Sequence, residues 1–167
     1  MKPEDVRGLK LRTMENEVHM EAFRNLGADP TPMAWGEVYT ALQQGVIDGQ
    51  ENPVGIIRTH KIYEVNKHLA LTGHVYSPAL LLINEKKFKA LSPDLQKILM
   101  EAGKEAAKFE RKFNRDSEAK WLEELKGFGM QITTPDKKAF QKATVPTYKK
   151  YETRFGKDLI DKIVETK

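Results

Sequence analysis

One uninterrupted helical pattern constrains the fold of this chain more than any other feature. The pattern begins at Ser92, a good N-cap residue, with a proline and an aspartate in the first turn. Apolar residues then recur every three or four positions as far as Leu125. A continuous helix over 92–126 would be about 52 Å long, whereas a compact globule of this chain length is roughly 40 Å across. We therefore expect the helix either to break, with Gly103 as the candidate position, or to bridge two lobes.

Shorter strand and helix signals alternate along the rest of the chain. Apolar and basic residues alternate over 9–13, which predicts a strand with Arg12 near its carboxyl end. Continuous apolar runs at 69–72 and 79–83 are typical of buried strands. The other predicted elements are helices over 18–26, 37–44 and 54–65, short strands over 46–48 and 131–133, and a lysine-rich helical tail from Asp136. Strands that alternate with helices predict an α/β architecture.

Composition excludes several classes of protein. The 28 basic and 24 acidic residues give a net charge of +4, and even the densest basic stretch, 104–115, contains two glutamates. This mixture predicts a solvated helix face and no nucleic-acid partner. The chain has no cysteine, no apolar run long enough to span a membrane and no signal-peptide core near its start. No phosphate-binding or nucleophile motif is present, so we expect no cofactor.

Two residues lie where ligands bind in α/β proteins. Ligands occupy the carboxyl ends of the strands in open α/β sheets, and the guanidinium of Arg12 would suit a planar carboxylate through two parallel bonds. A surface ion pair is the alternative for Arg12. Trp35 lies between a proline-rich extended segment and a helix. An aromatic side chain at such a junction either packs in the core or lines a pocket.

Two polar clusters have competing interpretations. Residues 48–53 form a turn-rich segment that either is only a turn, donates Asn52 to a ligand, or uses its two carboxylates in catalysis. His60, Glu64 and His68 would share one face, as metal ligands do, only if 60–68 were one helix. The helix signal ends near residue 66, so a surface cluster is the preferred interpretation.

The order and spacing of several motifs resemble a known family of transport receptors. The segments GLKLR, LGADPTPMAWGEVYTALQQGVIDGQENP and LTGHVYSPALLLIN resemble the second half of DctP-family solute receptors. Those receptors are the extracytoplasmic subunits of tripartite ATP-independent periplasmic (TRAP) transporters. The resemblance covers essentially the whole chain. It implies the C-terminal lobe of a two-lobed, periplasmic-binding-protein-like α/β receptor that binds a small organic acid without catalysis and works with TRAP membrane subunits.

The resemblance also implies roles for individual residues. The arginine of the KLR strand, which is Arg12, would bind the ligand carboxylate. Trp35 would line the pocket, and Asn52 would hydrogen-bond the ligand. His74 and Tyr76, in a segment that crosses between lobes, are further candidates. C4-dicarboxylates, sugar acids, keto acids and aromatic acids would all be compatible with these residues.

The same resemblance predicts how the chain is divided. It implies a ligand-binding lobe over 1–77, a crossover strand with a long inter-lobe helix over 78–127, and a tail over 128–167 that packs on the lobe. The family's first half and leader peptide have no counterpart in this sequence, so we expect a periplasmic fragment that forms a homo-oligomer through residues 79–125. The alternatives are a self-associating fragment that binds no ligand, or a small organic-acid enzyme using Asp48, Glu51 or His74.

Overall fold

Strands and helices alternate in the computed structural model, which describes residues 1–166. The strands are β1 (Lys10–Thr13), β2 (Asp29–Pro32), β3 (Gly49–Gln50), β4 (His68–Ala70) and β5 (Gln131–Thr133). The helices are α1 (Glu17–Asn25), α2 (Trp35–Gln43), α3 (Val54–Thr59), α4 (Ile62–Val65), α5 (Glu85–Lys89), α6 (Pro93–Gly127), α7 (Lys137–Phe155) and α8 (Lys157–Glu165). The predicted α/β class is confirmed.

The strands form two small parallel sheets. The larger sheet has the order β2-β1-β3, and β4 pairs with β5 in the smaller one. In the larger sheet Arg12 of β1 is in register with Thr31 of β2 on one side and with Gln50 of β3 on the other. The chain therefore turns to one side of β1 to form β2 and to the other side to form β3. This arrangement is a topological switch point, where ligands bind in open α/β sheets.

Local capping explains where the first two helices begin and end. The Asn16 side chain accepts hydrogen bonds from the backbone N–H groups of Val18 and His19, which starts α1. Gly27 and Gly45 follow α1 and α2 with φ of 85° and 71°. This left-handed conformation favours glycine and ends a helix. Both predicted helices are confirmed within a few residues.

The predicted strand over 46–48 is wrong by a few positions, because Asp48 hydrogen-bonds the backbone of Lys10 at the start of β1. The Asp48 N–H donates to the Lys10 carbonyl at 2.9 Å, and the Asp48 carboxylate accepts from the Lys10 N–H at 2.8 Å. These two bonds attach the bend to the start of β1. The paired strand then begins at Gly49, one residue after the predicted one ends.

By contacts, the chain divides into two units. The first contains Met1–Thr72 together with the chain from Leu125 onward, and the second contains Gly73–Glu124. In the first unit α7 packs against α1, where the Asn25 side chain donates to the Thr147 hydroxyl at 2.9 Å. The core of this unit includes Val38, Ile47, Ile57, Ile62 and Leu125, all at most 3% exposed.

The second unit contains α5 and most of α6, and none of its residues is in a strand. Helix α6 is continuous through Gly103, so the first of the two alternatives, a break at this residue, is wrong. The predicted buried strand over 79–83 is also wrong. Leu80, Leu81 and Leu82 are between 76% and 81% exposed and lie in no regular element. A strand requires a neighbouring strand to satisfy its backbone groups, and this unit provides none.

Candidate functional site

Three predicted site residues come from the same edge of the larger sheet. Arg12 lies in β1, Trp35 begins α2 shortly after β2, and Asn52 follows β3 by two residues. Because the three strands are parallel, their carboxyl ends meet at one edge. Thr31, Arg12 and Gln50 are in register there and form a row across the sheet, which we call the polar row.

Arg12 is buried and held by a backbone carbonyl. The residue is 5% exposed, and its Nε and Nη2 atoms donate to the Met33 carbonyl at 3.0 and 2.8 Å. This carbonyl uses two of the five N–H groups of a guanidinium. Burial lowers the pKa of Arg12, and the nearby negative charge of Glu51 opposes this effect. An arginine nevertheless keeps its charge in proteins, so the sheet edge carries a positive charge that is largely withdrawn from water.

Trp35 is half-buried beside Arg12. The Cζ atom of Arg12 lies 5.4 Å from the centre of the Trp35 ring, within range of a cation–π contact. The ring also meets His60 edge-on, with 5.2 Å between ring centres. A cavity of about 280 Å³ adjoins the indole and is lined by Trp35, Gly36, Tyr39, His60 and Ile62. Trp35 therefore lines the sheet edge, between the charged side chain of Arg12 and the aromatic ring of His60.

Asn52 is partly buried and tied to the polar row. Its Nδ2 atom donates to the Oε1 atom of Gln50 at 2.6 Å. Gln50 is the neighbour of Arg12 in the row. The hydrogen bond therefore holds the loop after β3 to the end of β3, the strand that pairs with the Arg12 strand. Arg12, Trp35 and Asn52 are thus grouped at one sheet edge, and we call this group the cluster around Arg12.

His74 and Tyr76 lie in the second unit. Both belong to the segment between β4 and α5 that has no helix or strand, and Tyr76 is 91% exposed. Their predicted approach to the cluster around Arg12 remains a prediction.

Asp48, one of the residues of the enzymatic alternative, has a structural role in attaching its loop to β1. Besides its two bonds to Lys10, its carbonyl accepts from the Asn66 side chain at 3.1 Å. A carboxylate that already accepts a backbone N–H holds the loop in place. No observation on Asp48 therefore favours the enzymatic alternative.

The helix over 60–68 that a metal site would need does not form. Lys61 has φ of 54°, so it separates α3 from α4, and His60 and Glu64 no longer share one continuous helix. His68 lies in β4, and the Glu64 carboxylate accepts from the Tyr39 hydroxyl at 2.7 Å. Within residues 1–166 no group of three His, Cys, Asp or Glu side chains is placed to hold a metal ion.

A second cavity, of about 600 Å³, lies between α1 and α7. Its charged walls are paired: Lys150 donates to Glu21 at 2.7 Å, and Arg154 lies 3.8 Å from Glu17. The bond to Glu21 raises the pKa of Lys150. These pairs cross from one helix to the other, so they hold α7 against α1.

Sequence reasoning missed Gln50 and the carbonyl of Met33. A glutamine within a turn-rich segment carries no chemical signal by itself. The signal is its register with Arg12, which becomes visible only once β1 and β3 are known to pair. No pattern of side chains could indicate the backbone carbonyl.

No described helix is both long enough and apolar enough to cross a membrane.

The profile of the family "Bacterial extracellular solute-binding protein, family 7" (DctP) matches residues 1–154. A solute-binding protein of Verminephrobacter eiseniae is 45% identical over 162 residues, which are 96% of this chain and 48% of that protein. The chain spans about half the length of the curated relatives it matches.

The fold of the chain also matches solved structures. A TRAP periplasmic solute-binding protein from Bordetella bronchiseptica, with density interpreted as pantoate, gives a TM-score of 0.92 at 46% identity over 99% of this chain and 55% of that one. A TRAP periplasmic solute-binding protein from Polaromonas sp. JS666, bound to D-erythronate, gives a TM-score of 0.93 at 43% identity over 100% of this chain and 55% of that one. The chain belongs to the DctP family, family 7 of the bacterial extracellular solute-binding proteins. The resemblance read from its motifs is confirmed, and so is the fold expected for part of such a receptor.

Proposed function

We propose, from this family membership, that the chain is the part of a TRAP solute-binding receptor that binds the carboxylate of a small organic acid. It catalyses no reaction. The observation that carries the proposal is Arg12, a buried guanidinium at the switch point of a parallel sheet, held in place by the Met33 carbonyl. The family of the chain is one of bacterial extracellular solute-binding proteins, which is consistent with this role.

The geometry around Arg12 suits a carboxylate. The Met33 carbonyl uses two N–H groups, and three remain that this carbonyl does not use. Two N–H groups of one guanidinium can donate in parallel to the two oxygens of a carboxylate. The Met33 bonds also reduce the rotamer freedom of the long side chain before the ligand arrives. The arginine therefore loses little entropy on binding.

Trp35 and Asn52 complete the proposed site in the first unit. The indole of Trp35 would shield the ion pair from water, which strengthens its electrostatic attraction. Asn52 would hydrogen-bond a polar group of the ligand. We also propose His74 and Tyr76 as ligand-binding residues, as the family resemblance implies.

The ligand class follows from relatives and from Arg12 together. The Bordetella structure contains density interpreted as pantoate, and the Polaromonas protein is bound to D-erythronate. Both are small acids with one carboxylate, and they carry two and three hydroxyl groups, respectively. A small hydroxylated acid of this kind is the proposed ligand here. The proposed location is the periplasm, and the proposed partners are the TRAP membrane subunits.

The proposed division of the chain follows the expected one. Residues 1–77 form the ligand-binding lobe, residues 78–127 provide the crossover segment and the inter-lobe helix, and residues 128–167 form a tail that packs on the lobe. The contact between α7 and α1 supports the position of the tail. We further propose that the first half of a family receptor supplies the other wall of the pocket.

We also propose that the chain on its own forms a homo-oligomer through residues 79–125. The second unit exposes Leu80, Leu81 and Leu82 along with Phe109 and Phe113 of α6, all between 50% and 81% exposed. Large apolar patches are rare on monomers and mark interfaces. Size exclusion with light scattering should give at least twice the monomer mass. A constant mass of 19.1 kDa over a wide concentration range would contradict the proposal.

A thermal-shift screen of organic acids tests the binding function. The chain is measured alone and with the first half of the Polaromonas relative, which we call the reconstituted receptor. An acid at 100 times its Kd should stabilise the binding species by about 2.7 kcal/mol. The neutral amide of each acid serves as the control and should give no shift. Equal shifts for acid and amide, or no shift with any acid, would refute the proposal.

A further inference from the structure

One helix carries the surplus of positive charge in this chain. Helix α7 contains six basic residues and one acidic residue, so its net charge is +5, whereas the whole chain has +4. Two of the six basic residues, Lys150 and Arg154, are paired with glutamates of α1. The other four are lysines, and all four are exposed.

Three of these four lysines share the outer side of α7. Lys138, Lys142 and Lys149 are spaced by four and seven residues, which places them on one face of a helix. We call these three residues the lysine stripe. Val145 lies between them on the same face and is 42% exposed, whereas the buried Thr147 lies on the opposite face, toward α1. The stripe is about 16 Å long, because each helical residue adds 1.5 Å.

The charges of the lysine stripe are not neutralised within the described part of the chain. None of its three ammonium groups has a hydrogen bond or an ion pair with residues 1–166. The one acidic residue of α7, Glu152, follows the stripe by three positions and is partly buried. The stripe therefore presents three unpaired positive charges in a line.

We propose that the lysine stripe binds a membrane surface that carries anionic phospholipid headgroups. The inference uses the proposed location of the receptor, next to the membrane that holds its proposed partner subunits. It does not depend on acid binding at Arg12. Binding of this kind would keep the receptor close to the bilayer, where those subunits lie.

The shape of the stripe favours a bilayer over a protein as its partner. Stable protein interfaces concentrate their binding energy in pockets that exclude water. The stripe lies on the convex side of a single helix, and neither cavity described above is lined by one of its residues. A layer of headgroups, in contrast, can contact a straight row of lysines along its whole length. Long lysine side chains also allow the apolar Val145 between them to approach the lipid.

Co-sedimentation with vesicles tests the proposal. The whole chain is mixed with vesicles of phosphatidylcholine alone, or of phosphatidylcholine and phosphatidylglycerol in equal parts. One lysine near an anionic membrane raises the affinity roughly fivefold. We expect the partition coefficient at low ionic strength to be at least about tenfold higher for the anionic vesicles. Added salt should reduce this difference, because it screens exposed charges.

Two variants of the lysine stripe separate its charge from its helix. Replacing all three lysines by glutamine, as Lys138→Gln, Lys142→Gln and Lys149→Gln, keeps good helix-forming residues and removes three charges. It should lower the partition coefficient for anionic vesicles by roughly 100-fold. Replacing the same three lysines by arginine keeps the charges and should retain binding.

Helix α6 provides a matched control. It has three exposed lysines with the same two spacings in reverse order, and exposed glutamates lie among them on the same face. The control variant is Lys97→Gln, Lys104→Gln and Lys108→Gln, which changes the net charge of the chain by the same amount. It should lower the partition coefficient by less than about fivefold. Light scattering should give one mass for all variants, so that oligomeric state does not affect the comparison.

Three results would overturn the proposal. The first is equal binding of the wild type to neutral and anionic vesicles, and the second is an equal loss in the stripe and control variants. The third is no binding of the wild type to anionic vesicles at low ionic strength, which would leave an acidic protein surface as the candidate partner of the stripe. No organic acid is present in this assay, so each of these results leaves the proposed ligand binding intact.

Discussion

Replacing Arg12 by lysine separates the charge of this side chain from its shape. Lysine keeps a positive charge but offers a single ammonium instead of a planar fork. In the structure the fork does two things at once: it donates twice to the Met33 carbonyl, and it has further N–H groups for a ligand. A lysine cannot make both sets of bonds with the same geometry. We therefore expect Arg12→Lys to resemble Arg12→Ala more than the wild type.

The expected losses of binding free energy follow from the burial of Arg12, which is 5% exposed. Removing one partner of a buried charge pair costs about 2–5 kcal/mol of binding free energy, or roughly 30- to 5,000-fold in Kd. Arg12→Ala in the reconstituted receptor should fall in this range. Arg12→Lys should still lose at least about tenfold, the value of one charge-assisted hydrogen bond. Calorimetry with the acid that gives the largest thermal shift measures both values.

Loss of stability must be separated from loss of binding. Losing the bonds to Met33 should lower the free energy of unfolding by about 1 kcal/mol, or the Tm by roughly 2–4 °C. Thermal unfolding without ligand measures this part. Arg7→Lys is the matched control, since Arg7 is exposed, and it should change neither quantity. Full affinity in Arg12→Lys would refute the two-pronged role of the guanidinium.

Three further predictions concern other residues of the first unit. Asn52→Asp should weaken acid binding by at least about fivefold, because two negative charges 4 Å apart repel by about 1–4 kcal/mol; unchanged calorimetric affinity would remove Asn52 from the site. Thr13→Val should raise the free energy of unfolding by about 1 kcal/mol, because the Thr13 hydroxyl is fully buried and has no hydrogen-bond partner among the described residues; a lower Tm would show that this hydroxyl is satisfied. Lys61→Gly should stabilise the chain by about 1 kcal/mol, since Lys61 has φ of 54°, and a Tm at or below that of the wild type would contradict this expectation.

Elements with strong local signals were predictable from the sequence. Helix α1 has an asparagine cap and a glycine stop, and the helix α6 pattern is continuous, so both appear where expected. The strand of Arg12 was equally clear, because its residues alternate in polarity. These signals act within a few residues of one another. They require no knowledge of the rest of the fold.

The apolar run at 79–83 shows that local composition is not sufficient to predict a strand. Its composition is that of a buried strand, yet Leu81 is 81% exposed. Whether such a run forms a strand depends on a neighbouring strand, which the run itself cannot reveal. The same limit applies to Gln50, whose place beside Arg12 depends on pairing between β1 and β3. The sequence was sufficient to name Arg12, Trp35 and Asn52 as candidates, but the contacts among them could not be predicted.

A crystal structure of the reconstituted receptor with its bound acid is the most direct test of carboxylate binding at Arg12. We expect the carboxylate to accept hydrogen bonds from the Arg12 guanidinium at the edge where β1, β2 and β3 end. We also expect the Trp35 ring to lie against the ligand and the Met33 carbonyl to keep its bonds from Nε and Nη2. An acid bound elsewhere, with Arg12 bonded to Met33 and making no contact with the carboxylate, would show that Arg12 does not bind the ligand.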